Sequence, residues 1–222
     1  MQKATVAQAV GDLPAAAAVL ASLRPAADKT TALETQVYQA ILEGRSAQSI
    51  PRLNEILAKP DPALGYLNGE LRFWLGWAQD HSGDHTDAKE TWRQARSELE
   101  AFLKDQPENY SLIADLALTC ISLGDKGAGL AFSEQAMAAI SIEKDAVDGP
   151  RVVEVFARVA AQAHQPDRAI VTLEKLLSLP YQGLLAGRAP LTPALLRLDP
   201  MFDLLRNDPR FQALVTSSAP KD

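Results

Sequence analysis

The apolar positions of this chain follow the helical period: Leu112, Leu116 and Ile121 mark one stretch, and Leu173, Leu176 and Leu177 another. Almost no β-branched residues alternate with polar ones at period two, so strands are not expected. Alanine dominates several of the same segments and favours the helix further. The pattern predicts an all-α protein.

A turn glycine interrupts these helical stretches at Gly11, Gly44, Gly83 and Gly124, with His164 in the equivalent place, at successive intervals of 33, 39, 41 and 40 residues. Such a period holds two helices that cannot bury their apolar faces alone, so neighbouring hairpins must stack. The clearest unit runs from about residue 67 to 106, where Leu75-Gly76, Gly83-Asp84, Ala88, Trp92 and Ala95 share one frame. Small residues at Gly76, Ala88 and Ala95 let two helices approach, and Trp92 fills the space between hairpins. The frame returns with Leu116-Ala117, Cys120, Gly124, Gly129 and Ala136, and with Phe156-Ala157, Ala160, His164, Ala169 and Leu173. Upstream, Val37, Ala40, Gly44, Ser49 and Leu53, then Ala4, Ala7, Gly11, Ala16 and Leu20, give two further matches.

These residues resemble the tetratricopeptide repeat (TPR), whose helical hairpin carries a Leu-Gly pair, a later Ala, then an aromatic and another Ala. The resemblance covers roughly residues 1–178. It implies a right-handed α-solenoid of about four to five hairpins over residues 1–179, the first incomplete, with a groove for a polypeptide. Three of the intervals exceed the usual period of about 34 residues. Pro60 and Pro62, Gln106-Pro107 and Gly149-Pro150 stand between hairpins, where proline favours a helix start, and the extra residues are placed there.

Composition is that of a soluble globular chain, 47% apolar and 23% charged. The net charge of −6, with no Lys/Arg cluster on one face, argues against nucleic acid. Neither a run of some 18 apolar residues nor a basic start with an apolar core is visible, which points to a cytoplasmic protein without a membrane span.

The chemistry-bearing residues read as structural. Cys120 is the single cysteine, set among Leu116, Leu118 and Ile121, and reads as a buried small hydrophobe rather than a nucleophile. His81 and His85 have metal-ligand spacing with Asp80, Asp84 and Asp87 nearby, but Gly83 interrupts them, and a solvated turn capped by Asp84 or Thr86 is the reading preferred to zinc. The stretch Gly124-Asp125-Lys126-Gly127-Ala128-Gly129 lacks the preceding strand of a phosphate loop. No catalytic constellation and no cofactor site emerge.

The resemblance places the inner wall on the first helix of each hairpin, two residues before and after the Leu-Gly pair. Those positions are Glu34 and Tyr38, Phe73 and Trp77, Ala114 and Leu118, then Glu154 and Arg158, with Asp115 and Arg151 adjoining. The expected partner-binding residues are Tyr38, Phe73, Trp77, Asp115, Arg151, Glu154 and Arg158. Packing between hairpins is the commoner fate of such rings, but rings exposed on a groove are natural hot spots, and Phe73 and Trp77 are the candidates for that role. The Lys/Arg/Asn clamp that some TPR domains use for a chaperone's terminal carboxylate is absent, so a hydrophobic or mixed-charge segment is the expected ligand.

Beyond Leu179-Pro180-Tyr181, residues 180–190 read as a loop with Gly183, Gly187 and Pro190. Three helix starts follow at Thr192-Pro193, Asp199-Pro200 and Asp208-Pro209, each a capping side chain before a proline. They are expected to cap the solenoid's end up to residue 218, with a disordered tail over 219–222. Residues 195–212 resemble a segment that closes the TPR regions of bacterial multidomain signalling proteins, in which a serine/threonine kinase, cyclase or winged-helix regulator precedes the repeats. That implies a second reading, a regulatory or sensory arm acting on a domain in cis. Because Met1 to Val10 supplies only part of a first helix, an excised fragment, or a second chain or domain covering Val6, Val10, Val19 and Leu20, is also expected. The leading expectation is a non-enzymatic module that binds a peptide or helical segment of another protein.

Overall fold

The computed structural model describes residues 2–185 and 188–216, and helix is the only regular secondary structure among the described residues, with no strand. Five helix pairs come first: α1 (Gln2–Ala9) with α2 (Leu13–Ala21), α3 (Thr30–Leu42) with α4 (Ile50–Leu57), which meet through the 3-10 turn Ser46–Ser49, α5 (Leu67–Ser82) with α6 (His85–Asp105), α7 (Tyr110–Ser122) with α8 (Lys126–Ala139), and α9 (Gly149–Gln162) with α10 (Pro166–Leu177). Each second helix also touches the first helix of the next pair, and α3, α5, α7 and α9 touch in sequence, forming one row.

The five turns share one geometry. Gly11, Gly44, Gly83, Gly124 and His164 all adopt a positive φ, between 62° and 95°. In each, the amide of the following residue bonds back to the carbonyl five residues earlier, as in Asp84 to Gln79 at 2.9 Å and Gln165 to Ala160 at 2.9 Å. This left-handed cap satisfies carbonyls that the helix end would leave orphaned. At four turns glycine adopts it without cost, whereas His164 carries a Cβ that disfavours it.

The Leu75-Gly76 position also does what the spacing predicts. A Cβ on Gly76 would lie 2.4 Å from Trp92 Nε1, so only glycine lets α5 and α6 close around that ring. The indole Nε1 donates to the Phe73 carbonyl at 3.2 Å, which satisfies the one polar atom of an otherwise apolar side chain. The irregular links lie near the prolines. Pro62 opens a short 3-10 turn, Pro62–Leu64, and Pro150 stands in the first turn of α9. Pro107 does not open α7, which starts three residues later because the Asn109 side chain accepts from Leu112 N at 3.2 Å.

The three starts near the C-terminal side form as read: α11 (Pro193–Leu198) is capped by Thr192, a 3-10 turn (Pro200–Leu205) by Asp199, and α12 (Pro209–Thr216) follows Asp208, whose carboxylate accepts from Arg210 N at 2.9 Å. Their position differs from a cap on one end. The 3-10 turn packs on α9, α12 touches α10, and α11 touches α1. The Thr192 hydroxyl donates to the Ala9 carbonyl, so residues 192–216 reach from the last helix pair to the first. Gly187 and the expected tail at 219–222 lie outside the described residues.

Candidate functional site

The residues expected to face a partner are almost all inside the protein. Tyr38, Phe73, Trp77, Asp115, Glu154 and Arg158 are buried, Tyr38 and Arg158 to 1% exposure, and only Arg151 keeps partial access to solvent. An open wall on the row of first helices is therefore corrected: residues 192–216 and the row's own rings cover it. Phe73, Trp74, Trp77 and Tyr38 form one cluster, with ring centroids 5.2 Å apart for Trp74 and Trp77 and 5.9 Å for Tyr38 and Trp77. Phe73 and Trp77 thus belong to the core and not to an exposed groove.

Charge on the same row is paired across the C-terminal segment. Arg158 donates Nε and Nη2 to Glu154 Oε1 at 3.0 and 2.9 Å, and its Nη1 reaches Asp199 Oδ2. The same carboxylate oxygen accepts from the Tyr38 hydroxyl at 2.5 Å, and Asp199 Oδ1 caps Met201 N at 2.9 Å. The Phe202 ring stacks under the guanidinium at 5.4 Å. Burial works against the charge of Arg158, but Asp199 and Glu154 on either side more than offset it. Burial, reinforced by Asp199, pushes the Tyr38 hydroxyl well above its usual range, so it stays a donor. Asp199 is the residue that sequence reading missed. Its signal was present as a helix cap, a role that does not reveal a second partner.

A second polar site lies where the N-terminal halves of α3, α5 and α7 meet, around a cavity of about 210 Å³. Glu34, Glu70 and Asp115 all line it, together with Tyr66, Arg151 and Arg188. Glu34 and Asp115 are each 5% exposed and Glu70 is half-buried. Desolvation raises all three carboxyls, and their mutual repulsion adds to it for Glu34 and Asp115. Glu70 is pushed up to about 7 by burial, with Arg151 pulling the other way. Arg151 is itself held by Asp148 at 2.6 Å. Of this group Tyr66, Glu70 and Arg188 are not among the residues that the sequence pointed to, although Glu70 shares a stripe with Phe73 and Trp77 at i+3 and i+7.

The other candidates are local. Cys120 is buried, and burial pushes its thiol up to about 11, outweighing the nearby Arg96. His85 Nδ1 lies 2.8 Å from Asp80 Oδ1 on the surface, while His81 stands beside Trp77 and burial lowers its pKa. Among the described residues no three His, Cys, Asp or Glu side chains are grouped closely enough to hold a metal ion, and no helix is long and apolar enough to cross a membrane. Val6 and Val10 stand exposed at the first pair, whereas Leu20 is buried.

The fold and site define a class, a paired-helix protein with a closed internal polar network. Set against protein-family models, curated proteins and solved structures, the chain matches none.

Proposed function

We propose that this protein is a non-enzymatic interaction module of the TPR type, in which a solenoid of five hairpins receives a helical polypeptide segment along the row of first helices. The observation that carries the reading is the seat of residues 199–205. A short helical segment, introduced by Asp199, lies on α9 and is fastened to α3 and α9 through Tyr38 and Arg158. The row thus has the shape and the anchors to take a segment with an acidic cap followed by Met and Phe. In the isolated chain that segment is its own, so a partner segment of similar chemistry competes with it.

The test uses the full chain carrying Asp199→Asn, which weakens the internal segment, and a synthetic peptide spanning residues 190–216. The native-sequence peptide should bind the variant chain, and a peptide with the same Asp199→Asn change should bind at least about ten-fold more weakly. If both peptides bind equally, or neither binds while hydrogen exchange shows the internal segment released, the reading fails.

A second reading makes the repeats the regulatory arm of a signalling protein, with a kinase, cyclase or DNA-binding domain in cis. The resemblance of residues 195–212 to the segment closing such TPR regions favours it, and the docking of that segment on the row is compatible with a regulated closure.

A further inference from the structure

Three features of the carboxylate cavity are not accounted for by folding alone. The Asp115 carboxylate is nearly sealed from solvent and points into the cavity, yet among the described residues no side chain or backbone group donates a hydrogen bond to it. Its oxygens are not sealed off completely, so what reaches them is the solvent of the cavity, which a ligand can replace. Glu34 and Glu70 line the same space, so removing three carboxyls from bulk water at one place carries a cost. The Arg151 Nε is buried without an acceptor, and its Nη1 bonds to Asp148 at 2.6 Å rather than to these carboxylates.

We propose that this cavity, between the N-terminal halves of α3, α5 and α7, binds an organic cation, a primary ammonium or guanidinium group, through the carboxylates of Asp115, Glu34 and Glu70. A small metal ion fits less well, because the three oxygens are not gathered at metal-ligand spacing. A nitrogen cation with three to five N–H donors can span acceptors spread around a cavity wall. The volume of about 210 Å³ suits a group the size of one side chain and is below that of a drug-sized site. Tyr66 supplies an aromatic wall against which such a cation gains further. Arg188 is exposed and sits at the loop side, where it can meet an anionic group accompanying the cation.

The cation source is either a free amine or a Lys or Arg side chain of a partner segment. The inference stands on the cavity and does not depend on the row of first helices receiving a helix. Protonation distinguishes it further. Glu34, Glu70 and Asp115 are all raised when the cavity holds no cation, and Tyr66, Arg151 and Arg188 are the other titratable groups facing it. Entry of a cation must therefore expel protons near neutral pH.

The full chain is titrated with agmatine, with cadaverine, with acetyl-Gly-Lys-Gly-amide and with the same peptide acetylated on the lysine, by calorimetry in two buffers of different ionisation heat. Saturable binding with proton release is expected for at least one amine and not for the acetylated peptide. Asp115→Asn should weaken it about ten-fold or more while keeping the wild-type circular dichroism, and Glu70→Gln serves the same purpose should Asp115→Asn fail to fold. Binding of agmatine or cadaverine assigns a free amine, and binding of the lysine peptide alone assigns a partner side chain. No binding by any amine, binding that Asp115→Asn and Glu70→Gln leave unchanged, or binding of Mg²⁺ or Ca²⁺ alone would overturn the proposal.

Discussion

Replacing Asp199 with alanine removes three interactions at one atom pair, and the consequences can be ranked. The Arg158 guanidinium loses a buried partner, the Tyr38 hydroxyl loses its acceptor, and Met201 N loses its cap. Leaving one member of a buried ion pair uncompensated costs about 3–5 kcal/mol. A lost N-cap costs roughly 1 kcal/mol. An orphaned hydroxyl costs about 1–3 kcal/mol. The three share one network and do not add, and Glu154 still faces Arg158, so a loss on the order of 5 kcal/mol is the ceiling. That is comparable with the whole stability of an ordinary domain, about 5–15 kcal/mol. The cheaper escape is local. Residues 192–216 can lift away, letting water reach Arg158 and Tyr38, before any helix pair unfolds. Native-state hydrogen exchange of Asp199→Ala should show amides of residues 200–216 losing protection by at least about two orders of magnitude while those of α5 to α8 keep theirs. Tyr38→Phe, which removes one hydroxyl and leaves the ion pair, should show a much smaller effect. Unchanged protection of residues 200–216 in Asp199→Ala, with a chemical-denaturation loss under about 1 kcal/mol, would refute the view that this network fastens the segment.

Trp92→Ala empties the space that Gly76 and Ala88 are shaped around, and denaturant titration should give a loss of about 3–5 kcal/mol. Trp77→Ala, at 5% exposure, should now cost a similar amount and not the smaller one that an exposed position implies, which a paired melt of the two variants checks. His164→Gly relieves a Cβ held at φ 62° and should raise the melting temperature, by the equivalent of about 0.5–1 kcal/mol, whereas Gly124→Ala should lower it. Glu70 carries a folded-state pKa of about 7 against 4.5 in the unfolded chain, so the native state holds the extra proton between those values. Its contribution is complete below about pH 4.5 and is lost as pH rises to about 7, so Glu70→Gln should flatten the fall in melting temperature across that window.

The helices and the turns between them were legible because their punctuation is local. A left-handed turn selects glycine, a helix start selects Thr or Asp before Pro, and a close helix contact selects Gly76 opposite Trp92, all within a few dozen residues. The candidate sites were less legible because exposure is a property of what lies on top. Glu154 and Arg158 are spaced i, i+4, which on sequence alone is the pattern of a solvated surface pair. Only Asp199, 41 residues beyond Arg158, makes it an internal one. Tyr38 is separated from the same aspartate by 161 residues, a distance over which no periodicity speaks. Glu70 is within reach of the stripe argument, since it shares a face with Phe73 and Trp77, but a carboxylate on that face carries no sign of its burial.

The contact between Thr192 and Ala9 joins positions 183 apart. During translation the first helix pair leaves the ribosome long before its lock is made. At about 5–20 residues per second the interval is some ten to forty seconds. Until then the aromatic row has only solvent over it, and a chain cut short before residue 192 keeps it so.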